Sequence, residues 1–263
     1  PHLQFEGGWM IQRNRRVAFK SRWVLALLLV SLGPSLAAQA ESPDPAALLQ
    51  EMSSYLKSLE AFELRANVTF DDVPLPDTKV QYSGSMEVQL RRPDRLRMTY
   101  QDDLTARELW LDGSMVTILG PAENLWAATT AESTIDETLR MLATDYGLSL
   151  PLDDLFSSDP HSVLMGNVKA DRYMGLHDVN GVACHHLIFG QENVNWQVWI
   201  EAGPKPLIRK VVITYKNLPM APQYAVEVTG WSLNPTLPDA RFHPQIPDDA
   251  IEIDFLAVEE ANP

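Results

Sequence analysis

The chain has 263 residues, 45% hydrophobic and 21% charged, which is ample for a buried core and excludes a low-complexity or disordered chain. Its 21 Lys and Arg stand against 35 Asp and Glu, a net charge of −14 that disfavours non-specific contact with nucleic acid or anionic lipid headgroups. A single cysteine excludes an internal disulfide.

Residues 1–40 read as a secretory signal peptide. Arg13, Arg15, Arg16, Lys20 and Arg22 make a basic segment, Trp23 to Leu32 an apolar one, and Ala38-Gln39-Ala40 a small-residue cleavage site. Met10 is the expected natural start, with residues 1–9 upstream of the signal. The apolar run is short for a membrane span. Cleavage predicts a periplasmic domain over 41–263 that begins at Glu41 and carries no cysteine there for lipid attachment. Removing five bases and one acid leaves 16 Lys and Arg against 34 Asp and Glu, a charge of −18.

Asp44-Pro45 opens a helix whose apolar positions Leu48, Leu49, Met52, Tyr55, Leu56 and Leu59 recur at three- and four-residue steps. From Phe62 the period changes to two, in short runs divided by Pro74-Leu75-Pro76-Asp77, Arg92-Pro93-Asp94 and the hairpin signal Asp112-Gly113. Ser133 to Glu137 offers a cap for a helix with Ile135, Leu139, Leu142 and Tyr146 on one stripe and Gly147 at its end. Pro151 to Phe156 and Asp159 to Gly166 read as two shorter helices. Strands then resume: Asn180-Gly181 turns into "VACHHLIF", followed by "NWQVWIE", "LIRKVVITYK", "QYAVEVTGWSL" and "AIEIDF". Turn signals about every ten residues predict an antiparallel meander in one β-rich domain.

Three patterns invite a chemical reading. Cys184-His185-His186 places a thiol and two imidazoles in sequence, but neighbours on a strand point to opposite faces, so both histidines cannot ligate one metal. No second pair of ligands at metal spacing accompanies them, and packing is the expected role of Cys184 and His186. Ser54-Tyr-Leu-Lys57 matches the Ser-x-x-Lys of serine hydrolases, without the Ser-Asp-Asn and Lys-Thr-Gly that accompany it. The acid pairs Asp71-Asp72, Asp153-Asp154 and Asp248-Asp249 lie beside prolines, as solvated loops do. No catalytic residue, metal or cofactor is implied.

What remains is a sheet that is apolar on both faces. "VACHHLIF" carries Val, Cys and Ile on one side and Ala, Leu and Phe on the other. Such a sheet must be covered or must enclose an apolar space. An apolar cavity and a filled core look alike at this level.

The stretches "YLKSLEAFELRANVTF", "MEVQLRRPDRLRMTY", "LWLDGSMVTILGP" and "LNPTLPDARFHPQIPDDAIEI" resemble the LolA/LolB-like periplasmic lipoprotein carrier superfamily. The chain is more similar still to an uncharacterised group of predicted periplasmic proteins within it, through "STIDETL", "LPLDDLFSSDP", "NVNWQVWIE" and "PLIRKVVITYK". The resemblance implies a mainly β (α+β) fold: a curved antiparallel sheet or unclosed barrel, with an N-terminal helix and a helical lid over an apolar cavity. It also implies an arginine in the strand after the Arg-Pro turn, which falls on Arg97. The expected ligand-binding residues are Leu96, Arg97, Met98, Tyr100, Trp196, Val198 and Ile200, although alternation sets Arg97 opposite Leu96, Met98 and Tyr100. The expected function is non-catalytic binding of a lipid or of lipoprotein acyl chains, with an envelope protein as a further partner and no nucleic acid. The rivals are an envelope protein-interaction domain with a filled core and a hydrolase built on Ser54 and Lys57.

Overall fold

The computed structural model describes residues 42–150 and 152–255. The signal-peptide reading, Glu41 and Pro151 fall outside them. The helix expected after Asp44 is α1 (Pro45–Ser58), capped by the Asp44 carboxylate, which accepts from the Ala46 N–H at 3.2 Å. Its stripe Leu49, Met52 and Leu56 is fully buried. Each such side chain stabilises the fold by roughly 1.5–3 kcal/mol, so α1 is held by packing on the sheet more than by propensity.

Strands β1 (Ala61–Leu75), β2 (Thr78–Arg91), β3 (Arg95–Asp102), β4 (Ala106–Leu111), β5 (Met115–Gly120) and β6 (Leu125–Thr130) form one antiparallel arm. Then come α2 (Ile135–Tyr146), α3 (Asp153–Phe156) and α4 (Pro160–Met165). The second arm is β7 (Ala170–Val179), β8 (Val182–Gly190), β9 (Val194–Glu201), β10 (Ile208–Tyr215) and β11 (Gln223–Leu233), followed by the short β12 (Ile251–Glu252). These strands make one sheet in the order β12-β6-β5-β4-β3-β2-β1-β11-β10-β9-β8-β7. Its edges, β7 and β12, do not pair with each other, so the curved sheet is an unclosed barrel.

Three details depart from the meander reading. The two arms meet through β1 and β11, with Val68 opposite Val226, a pairing no turn signal announces. The C-terminal "AIEIDF" contributes only β12, which runs parallel to β6. The hairpin at Asp112 turns one residue late, on Gly113 (φ 89°) and Ser114, because the Asp112 carboxylate accepts the Ser114 and Met115 N–H groups at 2.9 Å. At Asn180-Gly181, where both residues have positive φ (52° and 81°), the expected two-residue turn joins β7 to β8.

One face of the sheet carries the core: Phe62, Leu64, Val88, Leu96, Met98, Leu187, Phe189 and Val226 are buried together with the stripes of α1 and α2. The helical lid is tied down at defined points. Thr134 caps α2 by accepting from the Glu137 N–H at 3.2 Å, and the Ile135 N–H reaches the Pro93 carbonyl at 2.9 Å. Arg92 donates to the carbonyls of Phe156 and Ser157 at 3.2 and 3.3 Å. The His161 N–H donates to the buried Ser53 hydroxyl at 2.9 Å, joining α4 to α1.

Candidate functional site

Where the lid meets the second arm, the core does not fill. A cavity of about 280 Å³ lies under α1, α3 and α4 and over β9 and β10. Leu49 and Met52 line it from α1, Leu155 from α3, Val163 and Leu164 from α4, and Trp196, Val198, Ile208, Val211 and Ile213 from the sheet. It is nearly twice the ~150 Å³ of an engineered apolar cavity that binds benzene. Its polar lining is Asp154, Gln191 and Tyr215. Burial pushes the Asp153 carboxyl above its ordinary range, with repulsion from Asp154 adding to it, and desolvation does the same to Asp154. Asp154 and Val163 are exposed at the rim, so the opening lies on the α3–α4 side.

Tyr215 also borders a second, more open cavity of about 300 Å³, lined by Phe70, Asp71, Tyr100, Leu218, Pro222, Gln223 and Tyr224. Burial holds the Tyr100 and Tyr224 phenols above their ordinary range, so both are neutral donors, and the buried Tyr224 hydroxyl has no hydrogen-bond partner among the described residues. Desolvation pushes the Asp71 carboxyl up. The Lys79 ammonium at 3.0 Å and the Gln223 N–H at 3.0 Å outweigh it and hold the pKa below the usual carboxylate range. That carboxylate is therefore neutralised by its own lysine.

The expected ligand residues separate into four groups. Trp196 and Val198 line the first cavity, and Tyr100 lines the second. Leu96, Met98 and Ile200 share their faces but are buried in the continuous core and border neither. Arg97 lies on the other face, as alternation requires, where it sits over the Trp110 ring at 5.8 Å and pairs with Glu108 at 3.6 Å. The resemblance implies a helical lid, but the expected ligand residues include none from α3 or α4; the signal for that lining is the apolar content of "LPLDDLFSSDPHSVLM" between its proline and aspartate caps.

The candidate chemistry looks different in three dimensions. Ser54 accepts a hydrogen bond from the Gln50 amide at 3.1 Å, and both it and Lys57 are exposed on α1 and line neither cavity. Burial pushes the Cys184 thiol up to about 11, far from a reactive thiolate. His185 and His186 take opposite faces. His185 meets the Tyr173 hydroxyl at 3.1 Å, and His186 meets His177 at 2.9 Å and Gln197 at 3.0 Å. His186 also stacks on Trp199, centroids 3.9 Å apart, and Lys210 lies over the same indole at 5.5 Å. This outer face is thus covered by its own polar-tipped side chains rather than by helices. Among the described residues, no three His, Cys, Asp or Glu side chains are grouped to hold a metal ion.

Desolvation, with the His177 ring adding to it, lowers the His186 pKa from its ordinary 6.5 against the opposing bond from Gln197. A histidine with a depressed folded pKa is protonated more readily in the unfolded chain. Stability is therefore full above about pH 6.5 and falls as the pH drops from there through the lower folded value. Urea unfolding at pH 7.5 and 5.5 should show this loss, and His186→Gln should flatten it. An equal loss in the variant would place the titration elsewhere.

The fold and cavity together define an unclosed antiparallel barrel that keeps apolar space beneath a helical lid. The chain belongs to the family described as Predicted periplasmic protein (DUF2092), whose model matches residues 46–256. No curated protein matches the chain. Among solved structures it is similar to an uncharacterized conserved protein from Thermus thermophilus, at 10% identity and a TM-score of 0.46 over 79% of this chain and 97% of that one. It is similar to the Mycobacterium tuberculosis lipoprotein LppX at 12% identity and a TM-score of 0.44 over 73% and 96%. A LolA superfamily protein from Nitrosomonas europaea matches at 8% identity and a TM-score of 0.36 over 76% and 97%.

Proposed function

We propose that this protein is exported, loses its signal peptide after Ala40, and binds a hydrophobic ligand in the periplasm without catalysis. The observation that carries the reading is the apolar cavity of about 280 Å³ between α1, α3, α4 and strands β9 and β10. Interiors close-pack to the density of organic crystals, so a space of this size with an apolar lining is costly unless it is used. The family description supports the compartment. The ligand is a lipid or the acyl chain of a lipoprotein, and an envelope protein that hands over or receives it is a natural partner.

At ~0.8 kcal/mol per buried methylene, about eleven methylenes contribute roughly 9 kcal/mol before an association cost of about 4 kcal/mol or more. A dissociation constant on the order of 0.1 mM or somewhat weaker follows for a single simple chain. Native mass spectrometry of protein exported in its own host tests both parts. The expected species begins at Glu41 and carries an acyl-containing adduct. Protein that retains Arg22 to Ala40 would sink the export reading, and ligand-free protein that also takes up no added acyl probe would sink the binding reading.

A further inference from the structure

The cavity's charge says more than its size. Its rim carries one carboxylate, Asp154, whose side chain makes no ion pair or hydrogen bond among the described residues. The neighbouring Asp153 turns its carboxylate onto the Asp154 N–H at 2.9 Å, adding a second negative group. Among the described residues, no lysine or arginine lines either cavity. Three bases adjoin lining residues in sequence: Lys216, beside Tyr215, donates to the Gln191 carbonyl at 2.6 Å, while Arg209 and Lys210, between Ile208 and Val211, pair with Glu201 and Glu227. The other carboxylate in a cavity wall, Asp71, is already matched by Lys79.

An acyl chain seated against Met52, Trp196, Val198 and Val211 leaves its polar end at the rim, beside Asp154. An anionic head would there meet a carboxylate of like charge with no counter-ion of its own among the described residues. A head that donates a hydrogen bond would satisfy that carboxylate. On the scale of the benzene-binding cavity, the enclosed volume holds about eleven apolar heavy atoms, enough for one chain and not for several.

Building on the proposed ligand-binding role, we infer that the occupant is a single-chain amphiphile with an uncharged or cationic, hydrogen-bond-donating head held at Asp154. Fatty acids and other anionic lipids are disfavoured by the same carboxylate. Calorimetric titration of the mature chain near neutral pH with decylamine, monodecanoylglycerol and decanoate tests this with one chain length and three heads. Decylamine and monodecanoylglycerol should bind at least about tenfold more tightly than decanoate. Asp154→Asn should bring decanoate to within about threefold of the neutral glyceride, and Lys216→Gln should leave the wild-type order intact. Decanoate binding as tightly as the other two, or an order that Asp154→Asn does not change, would overturn the inference while leaving ligand binding in place. If none of the three probes binds, the ligand-binding role fails and this inference with it.

Discussion

Phe156→Ala is expected to cost about 3–5 kcal/mol of stability, the range for deleting a fully buried aromatic side chain. Phe156 has no exposed surface, and its ring lies 6.5 Å from that of Phe62 on β1. The four residues of α3 are too few to be helical by themselves. They are kept in place by Phe156, by Leu155 and by the Arg92 guanidinium on the carbonyls of Phe156 and Ser157. Burial lowers the Arg92 pKa, against the nearby Asp136 carboxylate, so that anchor is itself held under a desolvation cost. Losing the phenyl ring should loosen the wall that carries Asp154 and Leu155, and acyl binding should weaken along with stability. Phe156→Leu, which refills most of the space, should cost less than half as much. Urea unfolding and a probe titration on both variants decide it. A loss below about 1 kcal/mol with binding unchanged would mean that the lid is anchored elsewhere.

Val198→Asp should abolish acyl binding. Val198 is 1% exposed on β9, opposite Leu187 on one side and Val211 on the other, and it faces the cavity. A carboxylate there brings water into the space an acyl chain would fill, and an unpaired charge cannot be left against a methylene chain. Because the cavity has room for that water, the fold should survive with a loss of roughly 1–3 kcal/mol. In a filled core the same change would unfold the protein. A fluorescent fatty-amine displacement assay and a melting curve distinguish the two. Lost binding with a retained cooperative melt supports the cavity as the site. Wild-type protein that binds no probe, together with a variant that unfolds, would return the domain to the filled-core interaction reading.

Much of this architecture is local and so was written in the residue pattern. Asp44-Pro45 and the three-four spacing of Leu49, Met52 and Leu56 specify α1, because capping and a one-sided apolar stripe act within a few residues. Asn180-Gly181 specifies its turn through tolerance of positive φ. Alternation assigns Leu96, Met98 and Tyr100 to one face and Arg97 to the other, and it divides His185 from His186, since the strand period of two leaves no choice.

The tertiary structure decided what depends on partners distant in sequence. Nothing local announces that β1 takes β11 as its second neighbour, or that β12 lies parallel to β6, because ladder bonds are made by backbone groups that every residue carries. Periodicity tells which face a side chain takes but not what stands opposite it. Leu96 and Val198 read alike as inward-facing apolar residues. Leu96 is packed into the filled part of the core, whereas Val198 borders empty space, because the short α3 and α4 bridge over β9 and β10 without filling the volume beneath them. Asp154 owes its place at the rim to the same bridge. In the sequence it is one of a pair of loop-like acids, and only the packing of α3 places its carboxylate in the lining of an apolar cavity.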